Sequence, residues 1–166
     1  MTDRLPLTSI LDRIRENWPE TATRETEIMV SLIRLNDIID ARTKAVAAEF
    51  GLTIAGFETL ATLRAEPAPG QMTPNQLRQT VLITSGGMTK VLNTLAADGL
   101  ITLTTHETDR RSKQISLTEA GKKRIEDCMA SVSETDRHLL GQSLGDGEID
   151  QLRTLLTQTV AKLEAN

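Results

Sequence analysis

Asp109-Arg110-Arg111, with Lys113 two residues further on, sets a carboxylate beside two guanidinium groups and an ammonium. Such groups hold anions. An arginine whose fork is oriented by a nearby acid suits phosphate, or the narrow, electronegative minor groove of A·T-rich duplex DNA. Upstream, Ser85, Gly86, Thr89, Lys90 and Asn93 supply small residues, hydroxyls, a cation and an amide able to bridge to adenine. Thr73, Gln76 and Arg78 are of the types that touch backbone phosphates. Catalysis is not expected: Ser85, His106 and Asp109 exist, yet no G-x-S-x-G elbow frames the serine. The Thr-Ser-Gly-Gly string lacks the Lys-Ser/Thr ending of a phosphate loop. His106 and His138 stand alone and Cys128 has no histidine at zinc spacing, so neither a metal nor a cofactor is expected.

The spacing of apolar residues says what positions these groups. Thr73 caps a short helix, with Pro74 at its first position, Gln76 completing a T-x-x-Q box, and Leu77 and Val81 turned inward. Thr84 caps the next helix, residues 85–98. There Met88, Val91, Leu92 and Leu95 face the core, and Ser85, Gly86, Thr89, Lys90 and Asn93 take the other side; Gly99 ends the run. Ile101 with Leu103, and Ile115 with Leu117, alternate as strands joined by residues 106–111, which include no apolar side chain. Thr118 caps a long helix that aligns Ile125, Cys128 or Met129, Val132 and Leu139. This order predicts a mainly α fold with a small β-wing, a winged helix-turn-helix that sets one helix and one hairpin tip against duplex DNA.

Flanking segments enlarge the apolar surface. Leu7, Ile10, Leu11, Ile14 and Trp18 share a helical face before Pro19. A longer helix over residues 24–50 repeats Ile28, Leu32, Leu35, Ile39 and Val46 and stops at Gly51. Thr53 caps a helix that buries Phe57, Leu60, Ala61 and Leu63, and residues 66–71 form a loop. After a break over residues 141–147, Ile149, Leu152, Leu156, Val160 and Leu163 approach a coiled-coil seam. That exceeds what the central module can cover, and a homodimer through the termini is the economical answer. The expected organisation is 1–50, N-terminal helices on the dimerisation and ligand-pocket side; 51–121, winged helix-turn-helix; and 122–166, C-terminal dimerisation helices.

Bulk properties agree once charge is read by position. The net charge of −4 at first argues against a nucleic-acid partner. Yet residues 64–124 hold nine Lys/Arg against five Asp/Glu, so the acidity sits in the flanks. With Trp18, Phe50 and Phe57 as the only aromatics, base stacking on single strands has little to work with. The single cysteine fits a reducing cytoplasm, and no apolar run is long enough for a signal peptide or a membrane span.

The order T-P-x-Q-L, T-S-G-G-M-T-K, G-L, D-R-R, then I-S-L-T-x-x-G resembles the MarR family of bacterial winged-helix regulators over residues 25–164. The strongest match is Asp109-Arg110-Arg111 followed by Ile115-Ser116-Leu117-Thr118-Glu119-Ala120-Gly121. The resemblance implies a homodimeric transcriptional regulator that binds a pseudo-palindromic operator, its binding modulated by a small ligand or oxidant; the expected function is a repressor released by a small ligand. It implies that Asp109 orients Arg111 into a minor groove while Arg110 and Lys113 reach phosphates. The chain departs at Thr94, where family members often carry Arg, and at Ala96, where they carry an acid. The rival class is a winged-helix interaction or structural module without DNA binding. Trp18 and the TSGGMTK string look like the urate-responsive branch, with Glu58 at the position of its acid. Val91 and Leu103 stand in place of that branch's arginines, so a neutral, mostly apolar ligand, lined by Trp18, Phe57 and Glu58, is expected instead. Oxidant-sensing members use a cysteine near the N-terminal helix; Cys128 lies far from it, in an apolar register that reads as buried packing.

Overall fold

The hydroxyls of Thr23, Thr53, Thr73 and Thr118 cap helices of this chain, and glycines stop two of its helices. The structure is a computed structural model that describes residues 4–68, 70–81, 85–105 and 113–165, with the backbone alone at 85, 86 and 105. In order come α1 (Leu7–Asn17), a 3₁₀ turn (Pro19–Thr21), α2 (Arg24–Glu49), α3 (Ile54–Ala65), β1 (Gln71–Met72), α4 (Pro74–Thr80), α5 (Ser85–Ala97), β2 (Ile101–Thr105), β3 (Lys113–Leu117), α6 (Glu119–Gly141) and α7 (Asp146–Glu164). The backbone N–H of Gly56 donates to Thr53 Oγ1 at 3.1 Å, and that of Gly121 to Thr118 Oγ1 at 3.0 Å, so both hydroxyls satisfy a donor the first turn leaves open. Thr84, the expected cap of α5, lies outside the described residues.

Helix ends α2 and α5 share one device. Gly51 and Gly99 take φ of 71° and 70°, a left-handed conformation that glycine adopts without a Cβ penalty. Behind each, a paired set of bonds closes the helix: Gly51 N to Ala48 O with Leu52 N to Ala47 O, and Gly99 N to Ala96 O with Leu100 N to Leu95 O. Leu52 and Leu100, the residues just after, are buried. Each stop therefore also delivers an apolar anchor to the core.

The chain divides into two compact units, Met1–Ala45 and Val46–Asn166. In the first, Arg4 pairs with Asp37, Arg15 pairs with Glu27, and Arg34 donates to the Leu5 carbonyl. Exposed pairs of this kind contribute little to stability, though they fix where the N-terminal segment lies on α2.

The second unit contains the core. Leu60, Leu63, Leu77, Ile115, Ile125 and Cys128 are its most buried side chains, with Met88, Leu92 and Leu95 of α5 beside them. α3 packs against α4, α5, α6 and β3. The apolar stripes of α3 and α5 fall where the heptad-like spacing puts them. At the alternative on α6 it is Cys128 that turns inward, while Met129 is exposed. The sheet has three antiparallel strands in the order β1-β3-β2. In the hairpin, Ile101 pairs with Leu117 and Leu103 with Ile115, one residue of each pair buried and the other half-buried, as the alternation predicts. The loop expected over residues 66–71 ends earlier than the sequence suggests: Gln71 and Met72 pair with Ser116 and Ile115 as a third strand.

Candidate nucleic-acid interface

The candidate contacts lie on α4, α5 and the hairpin. α4 starts at Thr73, whose Oγ1 accepts the Gln76 N–H at 3.2 Å; Gln76 Oε1 in turn accepts the Thr73 N–H at 2.8 Å and its hydroxyl at 2.9 Å. The hydroxyl of Thr73 and the carbonyl of Gln76 are thus spent on the cap, which leaves the Gln76 amide N–H groups to serve a phosphate. Arg78 follows one turn later, exposed, with its guanidinium donating to Asn75 Oδ1 at 2.6 Å. The sequence reading passed over Asn75; an amide three residues before an arginine on one helix is the signal that could have found it.

α5 presents the two faces expected of it. Met88, Leu92 and Leu95 are buried and Val91 packs against them, while Thr89, Lys90 and Asn93 are exposed. Ser85 and Gly86 form its first turn. Between α4, α5 and the hairpin runs a cleft of about 350 Å³. Its polar lining is Asn75, Arg78, Thr89, Asn93 and Lys113, and its apolar lining includes Met88, Leu92 and Leu103. Five of the expected contacts therefore border one surface or its immediate neighbour: Arg78, Thr89, Lys90, Asn93 and Lys113. Lys113 opens β3 opposite Thr105, so the ends of the hairpin tip are held together in the sheet. Asp109, Arg110 and Arg111 lie outside the described residues.

The three residues expected to line a ligand pocket are placed differently from one another. Phe57 is buried in the core of the second unit, Glu58 is exposed on α3, and Trp18 is exposed in the first unit. Burial holds the Cys128 thiol above its usual pKa, which disfavours the reactive thiolate. The native protein is expected to leave a thiol reagent untouched at pH 8 and to consume a single equivalent once denatured. Rapid reaction of the native protein would contradict the buried placement. Among the described residues no group of three or more His, Cys, Asp or Glu side chains is placed to hold a metal ion. No single described helix is long and apolar enough to cross a membrane.

Comparison with known proteins converges on this arrangement. A family model described as the MarR family matches residues 50–112, from the end of α2 through the hairpin tip. The HTH-type transcriptional regulator PecS of Dickeya dadantii (strain 3937) is 28% identical over 166 residues, covering 100% of this chain and 99% of its own. Among solved structures, the S. aureus MepR–DNA complex superposes with a TM-score of 0.67 at 25% identity, covering 80% of this chain and 96% of that one. CouR from Rhodococcus jostii RHA1, bound to p-coumaroyl-CoA, gives a TM-score of 0.65 at 20% identity over 80% of this chain and 90% of its own, and so shares the fold. The matched segment contains α3, α4, α5 and β2, which carry Arg78, Thr89, Lys90 and Asn93, so over this part the chain is similar to MarR-family transcriptional regulators, with Lys113 and β3 just beyond the match.

Proposed function

We propose that the protein is a homodimeric repressor that binds a pseudo-palindromic duplex operator and is released from it by a small, mostly apolar ligand. One observation carries the reading: the exposed side of α5, with Thr89, Lys90 and Asn93, adjoins Arg78 and Lys113 around one cleft in a locally basic segment. In a dimer the two α5 helices enter successive major-groove faces about 34 Å apart. Ser85 and Gly86 let the backbone approach phosphate, where the helix N-terminal N–H groups favour an anion. Arg111, oriented by Asp109, enters the flanking minor groove, and Thr73, Gln76, Arg78, Arg110 and Lys113 hold phosphates.

Exposed apolar side chains on α2 and α7, among them Met29, Ile33, Leu155 and Leu163, support dimerisation through residues 1–50 and 122–166, with 51–121 as the DNA-binding domain. MepR, the relative solved with DNA, supports the duplex, and CouR, solved with p-coumaroyl-CoA, supports control by a small ligand. The protein works in the cytoplasm and catalyses no reaction.

The test is fluorescence anisotropy with a duplex from upstream of the protein's own gene and a shuffled control, at about 0.15 M salt, where surface charges still act over about 8 Å. Preferential binding is expected. Arg111→Ala should weaken operator binding by about 1–3 kcal/mol, as for loss of one specific contact. Lys113→Ala should weaken all duplexes alike and flatten the salt slope by about one unit. If neither duplex binds and selection from a random library recovers none, the winged helix is an interaction module and the proposal fails.

A further inference from the structure

α4 holds its one arginine with a neutral partner. Arg64, Arg137 and Arg153 each pair with a carboxylate, Glu126, Glu134 and Asp150, so part of each charge is cancelled within the protein. Arg78 instead donates to the amide oxygen of Asn75 at 2.6 Å, three residues earlier on the same helix. Both residues line the cleft shared with Asn93 and Lys113, and no acidic side chain is part of its described lining. An amide oxygen fixes the direction of a guanidinium without neutralising it, and among the described residues no other bond occupies the fork's remaining N–H donors. A lysine ammonium on the same cleft would otherwise favour rotamers of Arg78 that swing away.

From this geometry we infer that Asn75 is a positioning residue for DNA binding: it holds the Arg78 guanidinium, through a neutral amide, beside the face of α5 that enters the groove. The inference rests on the DNA-binding reading given above. A free arginine loses rotamer freedom when it grips a phosphate, whereas one already held loses less, so the gain is in affinity and not in the number of phosphates contacted.

The experiment is a double-mutant cycle on the full chain. It uses a fluorescein-labelled duplex of about 30 base pairs, long enough for half-sites one turn apart, selected from a random library on the wild type. Asn75→Ala is expected to bind about two- to tenfold more weakly, the range for immobilising one long side chain, with the salt slope unchanged. Arg78→Ala is expected to lower the slope by about 0.9, and Asn75→Ala should then add nothing. The melting temperature of Asn75→Ala should hold or rise, because alanine is the better helix former. Wild-type affinity in Asn75→Ala beside a weakened Arg78→Ala would overturn the inference and leave the DNA reading standing. So would additive losses, or a loss of affinity that tracks a lower melting temperature. Failure of the wild type to select any duplex would overturn both.

Discussion

Gly121→Ala is expected to destabilise the protein by about 3 kcal/mol, the upper end of the range for overpacking a tight site. From helix propensity alone the sign would be opposite. Gly121 sits in the first turn of α6, and alanine there should favour the helix by up to about 1 kcal/mol. Packing reverses it. A Cβ at this position would meet the carbonyl carbon of Leu100 at 2.8 Å and its Cα at 3.2 Å, and the Leu100 carbonyl oxygen lies closer still. Those are backbone atoms and cannot rotate aside. Relief requires α6 to move away from the start of the hairpin, and that strains a set of bonds at one point. Thr118 N donates to Leu100 O at 3.1 Å, Thr118 Oγ1 donates to Gly99 O at 2.7 Å, and the same oxygen caps α6. For a chain of this size the loss corresponds to a fall in melting temperature of about 6–12 °C. Gly147→Ala in α7 is the control, since nothing lies within 4 Å of its Cβ position and its melting temperature should hold or rise. Equal melting temperatures for Gly121→Ala and the wild type would show that the two backbones do not approach this closely.

Charging the stripe of α7 is expected to produce a monomer and to weaken operator binding by about 10²–10⁴-fold. α7 contributes no buried residue in the protomer, while Leu155, Val160 and Leu163 are 64%, 51% and 71% exposed. Val160→Glu with Leu163→Glu therefore disturbs no packing within one chain. In the dimer proposed above the same positions would be covered, and two desolvated carboxylates would oppose assembly. Without the partner, the second half-site is no longer bound at high effective concentration, which sets the scale of the loss. Sedimentation velocity reads the mass and anisotropy reads the affinity. A charged variant that remains dimeric would move the seam to another surface, and a monomer with unchanged affinity would remove the need for two half-sites.

Local chemistry was legible in this sequence wherever it is written in consecutive residues. Thr53, Thr73 and Thr118 cap helices because a hydroxyl three residues before an open N–H is a local arrangement. The same holds for the stops at Gly51 and Gly99 and for the two faces of α5. What could not be read depends on partners distant in the chain. The strand at Gln71–Met72 is two residues long and exists because Ser116 and Ile115 are there to pair with it. Gly121 looks like ordinary helix glycine until Leu100 is placed against it. Ile28 and Ile39 keep strict helical spacing on α2 yet are exposed in the protomer, so periodicity alone did not tell burial within one chain from an apolar face left for the proposed dimer. The candidate contacts Thr89, Lys90 and Asn93 follow from residue type and lie together on the exposed side of α5, whereas the spacing of Asn75 and Arg78 offers a bond that only the geometry of α4 shows to be made.

The pairing of Thr105 with Lys113 has a bearing on how such a protein changes over generations. Where the sheet ties two strand ends together, the entropy of closing a flexible connection between them varies only with the logarithm of its length. Doubling it would cost about 0.6 kcal/mol. On the DNA-binding reading proposed above, insertions and deletions between the strands would cost folding little while altering what the tip reaches, so the wing is where target preference would drift by changes of length as well as of residue. The same tolerance makes it a place to graft a foreign peptide without loss of the fold.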